Sequence, residues 1–440
     1  MVDGLKLQSI ADMIADLEDE QLTTFEAFVG WCKRAGIDTA AVDGSSSASE
    51  GGGLVAARAI GADDTILAVP LDVSLEVDVK RPHLAPHAAL LAALEPTHAL
   101  ALAVCLSTAA DAKLAPWLAL WPQTAVGAWG WRAAEWEAVA WCDEAAELHV
   151  PLRGAAQAAY DDKIAPHFAE RDSACPTWDR FEWALSMVSS RAAANVLSGD
   201  DRLAIVPMVD MMNHRVTPSA YLSYDAAARA IVVKAYVALE AGAAVSICYG
   251  EKENAELLAS YGFALARNPA DTASVRVEVA ADHPLAADAG GSLRSFLPQG
   301  LGAILANGGR CVGAVRWDPD WADAYDDRPV DVDDALVLRP DVHSGELPLV
   351  AALSLATTDT AVIGALGALA AGGAALGARE DVREAMGAAL RAALAKLPSE
   401  QPAVDVGDAP GNLAAFAVAL EARRALLRAA ADAQTAAETA

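Results

Sequence analysis

Basic side chains are scarce in this chain. Its 440 residues carry 32 Lys and Arg against 60 Asp and Glu, a formal net charge of −28. Such an excess repels phosphate backbones and anionic lipid, so nucleic acid and membrane are excluded as main partners, and a basic partner is favoured. Cysteine is sparse too. The six residues Cys32, Cys105, Cys142, Cys175, Cys248 and Cys311 contain no CxxC pair. That excludes a disulfide scaffold and a four-cysteine zinc cluster, and leaves reduced, buried thiols as the expectation. The opening MVDGLKLQSIADMIADLEDE has neither the basic flank and apolar run of a signal peptide nor the basic character of a transit peptide. The nearest approach to a membrane span, Ala361–Ala378, is mostly Ala and Gly, which insert weakly, so a packed helix or small-residue loop is expected. No repeat of 20–50 residues is visible. These absences point to a soluble protein of the cytoplasm or nucleus.

What is present is globular: 54% of residues are hydrophobic and 21% charged. At roughly 150 residues per domain, the length suggests two or three domains. FEAFVGWCKRAGI (25–37) spaces Phe25, Phe28 and Trp31/Cys32 as a short amphipathic helix ending near Gly36. GSSSASEGGG (44–53) reads as a flexible loop, and LVAARAI and TILAVP as strands around the turn Gly61–Asp64. From about His83 to Ala194 the pattern is helical, with five tryptophans between Trp121 and Trp141 expected to fill core and groove. Strand character returns near Ile205. AYLSYD, AIVVKAYVAL and AVSICYG read as an antiparallel meander, and ENAELLASYGF as a short helix. After about residue 285 the chain is Ala-rich and helical. DVREAMGAALRAALAKLP repeats Val382, Met386, Leu390 and Leu394 every four residues, and GNLAAFAVALEARRALL puts Leu413, Phe416, Leu420 and Leu427 on one face. The order is β, helical insert, β, helical C-terminal domain.

Chemistry concentrates in VPMVDMMNH (206–214). Asp210, Asn213 and His214 are polar residues inside an apolar run, and burying such groups unpaired costs about 1–3 kcal/mol each. A structural hydrogen-bond cluster, a ligand-binding turn and a metal site are all compatible, although the spacing offers few good metal ligands. Downstream, Tyr249 and Tyr261 are each followed by glycine across one turn and one short helix. Upstream, FEWALSMVSSRA ends on Ser190 and Arg191 just before the polar cluster.

In this order, these segments resemble the SET-domain protein methyltransferases of the Rubisco large-subunit lysine methyltransferase branch. GGGLVAARAIGADDTILAVP is similar to the opening strand pair of that branch, and LALAVCLSTAADAKLAPWLALWP to the start of its helical insert. FEWALSMVSSRA, VPMVDMMNH and CYGEKENAELLASYGF resemble its strongest motifs, and ELPLVAALSLA with GNLAAFAVALEARRALL its helical substrate-binding domain. The resemblance implies an α+β chain: a split SET β-fold with a helical insertion, plus an all-α C-terminal domain. Its divisions would be 23–84 and 204–268 for the two SET parts, 85–203 for the insertion and 285–440 for the helical domain.

The resemblance also implies S-adenosyl-L-methionine as cofactor and methyl transfer to a protein side chain. Asp64 and Ile66 would hold the methionine end of the cofactor beside Gly53; Ser190, Arg191, Asp210, Asn213 and His214 match further cofactor contacts. Tyr249 matches the tyrosine at the transfer centre and Tyr261 that of the closing YGF motif, while Tyr221 or Tyr224 would wall a lysine channel. Retention of Tyr261 favours lysine over histidine as acceptor. Asp64 departs from the commoner glutamate, and Glu251 and Glu253 add negative charge that suits a basic or flexible substrate segment. A plastid target is disfavoured by the opening segment. A binding module that has lost transfer, and a hydrolase with a metal on Asp210 and His214, are the readings from other classes.

Overall fold

The computed structural model describes residues 24–47, 51–193, 202–266, 268–278, 310–316, 388, 391–398 and 410–439. The stretch Ala361–Ala378 and the positions Val382, Met386 and Leu390 lie outside them. By packing, the chain forms two compact units. The first comprises the chain to Trp131, Glu147–Glu251 and Ala259–Tyr261; the second comprises Arg132–Ala146, Lys252–Leu258 and the chain from Gly262.

The first unit begins with helix α1 (24–34). Phe28 and Cys32, one turn apart, are both fully buried. The helix closes as its spacing suggests: Gly36 adopts φ +82°, the Gly36 N–H donates to the Lys33 carbonyl and the Ile37 N–H to the Cys32 carbonyl. That left-handed cap is what glycine supplies at no steric cost.

At its described residues, 44–47 and 51–53, the Gly/Ser stretch is strand rather than loop. Strands β1 (Val42–Ser47) and β2 (Gly51–Ala56) pair antiparallel through it, with Gly44 opposite Leu54 and Ser45 opposite Gly53. The small residues answer a packing demand. A Cβ at Gly44 would stand 2.8 Å from the Phe25 ring. Strand β3 (Thr65–Pro70) buries Ile66, Leu67 and Val69, and β4 (Leu75–Glu76) follows.

The insertion is helical as expected: α2 (Ala88–Ala93), α3 (Pro96–Ala110), α4 (Ala115–Leu118), α5 (Ala133–Ala138), α6 (Asp143–Ala159), α7 (Ala165–Ala169) and α8 (Trp178–Arg191). Leu100 to Cys105 of α3 are all buried, which suits a helix apolar on every side. Thr177 caps α8, its Oγ1 accepting the Arg180 N–H at 3.2 Å. Arg132–Ala146, expected within the insertion, packs in the second unit.

Short strands β5 (Ala192–Ala193) and β6 (Ala204–Ile205) join β4 in one sheet, order β4-β6-β5. Then come β7 (Asn213–His214), β8 (Ala220–Asp225), β9 (Ala230–Ala235) and β10 (Ala244–Ile247). The last three do not form a meander. β8 and β9 pair, but the far edge of β9 is already taken by β3, giving the sheet β3-β9-β8. β10 crosses to another sheet, β1-β2-β10-β7, antiparallel to β2 and parallel to β7. That parallel pairing sets Ser246 beside Asn213 and Ile247 beside His214. The core runs continuously through this unit, from Phe28 to Val245.

Helix α9 (Asn254–Tyr261) ends on Gly262, whose left-handed φ of +79° stops it. In the second unit, strands β11 (Thr272–Glu278) and β12 (Arg310–Arg316) form a ribbon, and the long helix α10 (Pro410–Thr439) buries Phe416, Leu420 and Leu427 along one face. β12 thus places a strand inside the stretch 285–440 that was expected to be wholly helical. The alternation RCVGAVR is short, and Ala-rich surroundings hide it from a helical reading. Arg423 of α10, almost wholly buried, pairs with Glu144 and lies 5.9 Å over the Trp141 ring.

Candidate cofactor and catalytic site

The loop from Val206 to His214 carries the polar residues of the site. It turns on Met208, fully buried with φ +69°, a conformation unusual for a non-glycine residue and costly without support from its surroundings. A single 3₁₀ turn (Val209–Met211) follows, and β7 then presents Asn213 and His214.

Asp210 anchors the turn. Its side chain is wholly buried, and Oδ2 accepts the indole N–H groups of Trp117 and Trp121, each at 3.0 Å. Arg191 Nη1 donates to the Asp210 carbonyl at 3.1 Å and lies 3.4 Å from Oδ2. Burial pushes the carboxyl above its usual range, opposed by the Arg191 charge and by the two indole donors. Asp210 Oδ1 and Arg191 Nε are buried without a hydrogen-bond partner. Ser190 donates its hydroxyl to the Ser186 carbonyl one turn back, at 2.7 Å.

Tyr249 is fixed at three points. Its backbone N–H donates to His214 Nδ1 at 3.1 Å, which makes that nitrogen an acceptor and puts the neutral ring's proton on Nε2. Its hydroxyl donates to the Met212 carbonyl at 2.7 Å. Its ring stacks on Tyr261, centroids 4.8 Å apart and planes inclined by 25°, and lies 5.2 Å from the His214 ring. Burial pushes the Tyr249 phenol up to about 12.

A glycine completes the enclosure. A Cβ at Gly53 on β2 would stand 2.7 Å from Asn213 Nδ2, so only a residue without a side chain lets the strand pass this close. Contacts thus link Arg191 to Asp210, Gly53 to Asn213, and His214 to Tyr249 and on to Tyr261, while Ser190 neighbours Arg191 only in sequence.

Asp64 and Ile66 stand at the turn into β3 and on β3 itself. Asp64 is exposed, its Oδ2 accepting the Gly61 N–H at 2.9 Å, so it closes its own turn. Ile66 is buried on β3, in a different sheet from Gly53. Tyr221 is over a third exposed and meets Tyr236 edge to face at 6.3 Å. Tyr224 packs at the margin of the core, opposite Ile231 on β9. Among the described residues, no ring contact joins Tyr221 or Tyr224 to Tyr249.

Two residues that hold Asp210 were not singled out in the sequence: Trp121 was read as core or groove packing, and Trp117 only as part of the helical insert. Trp117 and Trp121 stand four apart in PWLALW, so both indoles leave α4 and its exit on one face. Their N–H groups, which need partners when buried, were the available signal.

Comparison with known proteins agrees with the fold. The SET domain of LSMT bound to lysine and AdoHcy superposes with a TM-score of 0.65 at 20% identity, over 95% of this chain and 92% of that one. Rubisco LSMT bound to AdoMet gives 0.66 at 20% identity, over 94% and 92%. In sequence, SET domain-containing protein 4 of Mus musculus is 29% identical over 113 residues, 24% of this chain and 26% of that protein. The ribosomal lysine N-methyltransferase set10 of Schizosaccharomyces pombe is 30% identical over 112 residues, 24% and 20% of the two chains. The matched segment thus spans about a quarter or less of these curated relatives. No family model matches. The fold is that of the SET-domain methyltransferases. Within that class, the solved structures it resembles include those of Rubisco LSMT.

Proposed function

We propose that this protein is an S-adenosylmethionine-dependent protein-lysine N-methyltransferase. The observation that carries the reading is the stacked Tyr249–Tyr261 pair, with the Tyr249 hydroxyl tethered to Met212 and its backbone to His214. The site also suits the cofactor held by its structural neighbours. Asp210 Oδ1 and Arg191 Nε are a buried acceptor and donor still to be satisfied, and Gly53 leaves room against Asn213. Ser190, Arg191, Asn213, His214 and the backbone at Gly53 would hold the cofactor, with Asp210 fixing the loop beneath. When bound, it supplies a methyl group already activated by a sulfonium.

What remains is to present a neutral amine. Deprotonating a lysine of pKa about 10.4 at pH 7 costs roughly 4.6 kcal/mol. The aromatic walls of Tyr249 and Tyr261 disfavour the ammonium by excluding water, which lowers that cost. The Tyr249 hydroxyl donates its hydrogen bond to the Met212 carbonyl, which leaves its oxygen lone pairs to accept from an incoming amine and orient it. The net charge of −28 supports a basic segment of a protein as substrate. The metal-hydrolase reading has less support: among the described residues, no group of three or more His, Cys, Asp or Glu is placed to hold a metal ion.

The test is transfer of labelled methyl from S-adenosylmethionine into a soluble cell extract, with hydrolysis of any labelled band. Methyl-lysine in a discrete band is the expected result. Methyl-histidine would move the acceptor assignment, and absence of both label and calorimetric cofactor binding would sink the reading. A further expected outcome concerns Gly53→Ala. The added methyl displaces Asn213, and cofactor affinity falls by about tenfold or more with little change in thermal stability, since only a side-chain tip must yield. Calorimetric titration showing unchanged affinity would remove β2 from the cofactor wall.

A further inference from the structure

The carboxylate of Asp210 is held from outside the β-fold. Trp117 belongs to α4, Trp121 lies one turn beyond it, and Arg191 ends α8, so every donor to Oδ2 comes from the helical insertion. The indoles are themselves braced. Trp117 stacks on Trp31 of α1 at 5.9 Å, and Trp31 on Phe28 at 5.8 Å. Trp121 meets Trp183 of α8 at 5.9 Å, and the Arg191 guanidinium lies 5.6 Å over its ring. The loop they hold is under backbone strain at Met208, and Asn213 and His214 follow Asp210 by three and four residues. A strained loop keeps its shape only while its tethers outweigh the strain.

We propose that Trp117 and Trp121 are positioning residues of the cofactor site: through Asp210 they lock the loop from Val206 to His214, so that the helical insertion sets cofactor affinity. This rests on the methyltransferase reading. Losing an indole N–H leaves part of a buried carboxylate unsatisfied, and the loop then spends only a fraction of its time in the binding-competent shape. Apparent affinity falls by that fraction, whereas saturating cofactor draws the loop back and restores turnover. A residue acting merely by packing would not produce that split.

The decisive substitution replaces Trp117, and separately Trp121, with benzothienylalanine, which keeps the fused rings and exchanges N–H for sulfur. Trp117→Phe and Trp121→Phe serve as second variants. S-adenosylmethionine affinity is read by calorimetry, and KM for the cofactor and kcat by methyl transfer. The expected result is affinity weakened by about tenfold in each analogue, with kcat at saturating cofactor within about threefold of wild type. Unchanged affinity in both analogues overturns the proposal, and so does a fall in kcat with KM unchanged. Should the phenylalanine variants fail to fold, the ring-preserving analogues decide alone. Failure of the wild type to bind the cofactor would instead overturn the methyltransferase reading itself.

Discussion

Tyr249→Phe is expected to lower kcat for methyl transfer by about 100-fold or more while leaving cofactor affinity within about twofold. The substitution removes one oxygen and keeps the ring. Stacking against Tyr261 at 4.8 Å persists, and so does the backbone donation to His214, because neither uses the hydroxyl. What disappears is the acceptor proposed to orient the amine and the 2.7 Å tether to Met212. Misorientation of a reacting pair is costly even when every other wall stands. The pH profile adds a second check. Burial pushes the Tyr249 phenol up to about 12, so its proton stays in place through pH 10. The rise in rate between pH 7 and 9 then reports loss of the proton from the substrate amine. It persists in Tyr249→Phe at a lower level. A variant with a third or more of the wild-type kcat, or one whose rate no longer rises with pH, would remove Tyr249 from the transfer centre.

The parts of this site that were legible in the sequence are those where polarity interrupts an apolar run. Asp210, Asn213 and His214 stand out in VPMVDMMNH because each needs a partner once buried, and Tyr249 and Tyr261 stand out through the glycines that follow them. Local rules also sufficed for α1, whose Phe28 and Cys32 lie on one face and whose Gly36 ends it. Where the reading failed, the cause was tertiary. Gly44 and Gly53 looked like flexibility, yet each is small because Phe25 or Asn213 passes close by, and nothing near them in sequence announces that. The destination of the Trp117 and Trp121 N–H groups, an aspartate 93 and 89 residues further on, lies beyond any window of local pattern.

Asp210→Ala carries the largest expected loss of stability, about 3–5 kcal/mol, because it strips a buried assembly of its acceptor. The alanine leaves two indole N–H groups without a partner and an Arg191 side chain, only 18% exposed, without its counter-charge. Met208 would then be free to leave its strained conformation, which recovers a little of the loss and moves Asn213 and His214 in doing so. Asp210→Asn separates charge from hydrogen bonding, since the amide keeps one oxygen for the indoles and adds no charge in a dry site. Its cost is therefore smaller than that of alanine. The pH dependence has a definite sign. Burial raises the native carboxyl above its unfolded value, so the native state takes up a proton that the unfolded chain does not. The wild type accordingly gains stability relative to Asp210→Asn as pH falls through the native pKa toward the unfolded one. Urea denaturation of the three proteins at several pH values reads both effects. A loss under about 1 kcal/mol in Asp210→Ala would mean that the loop is held by its backbone alone, and the indole N–H groups would then have no part in shaping the site.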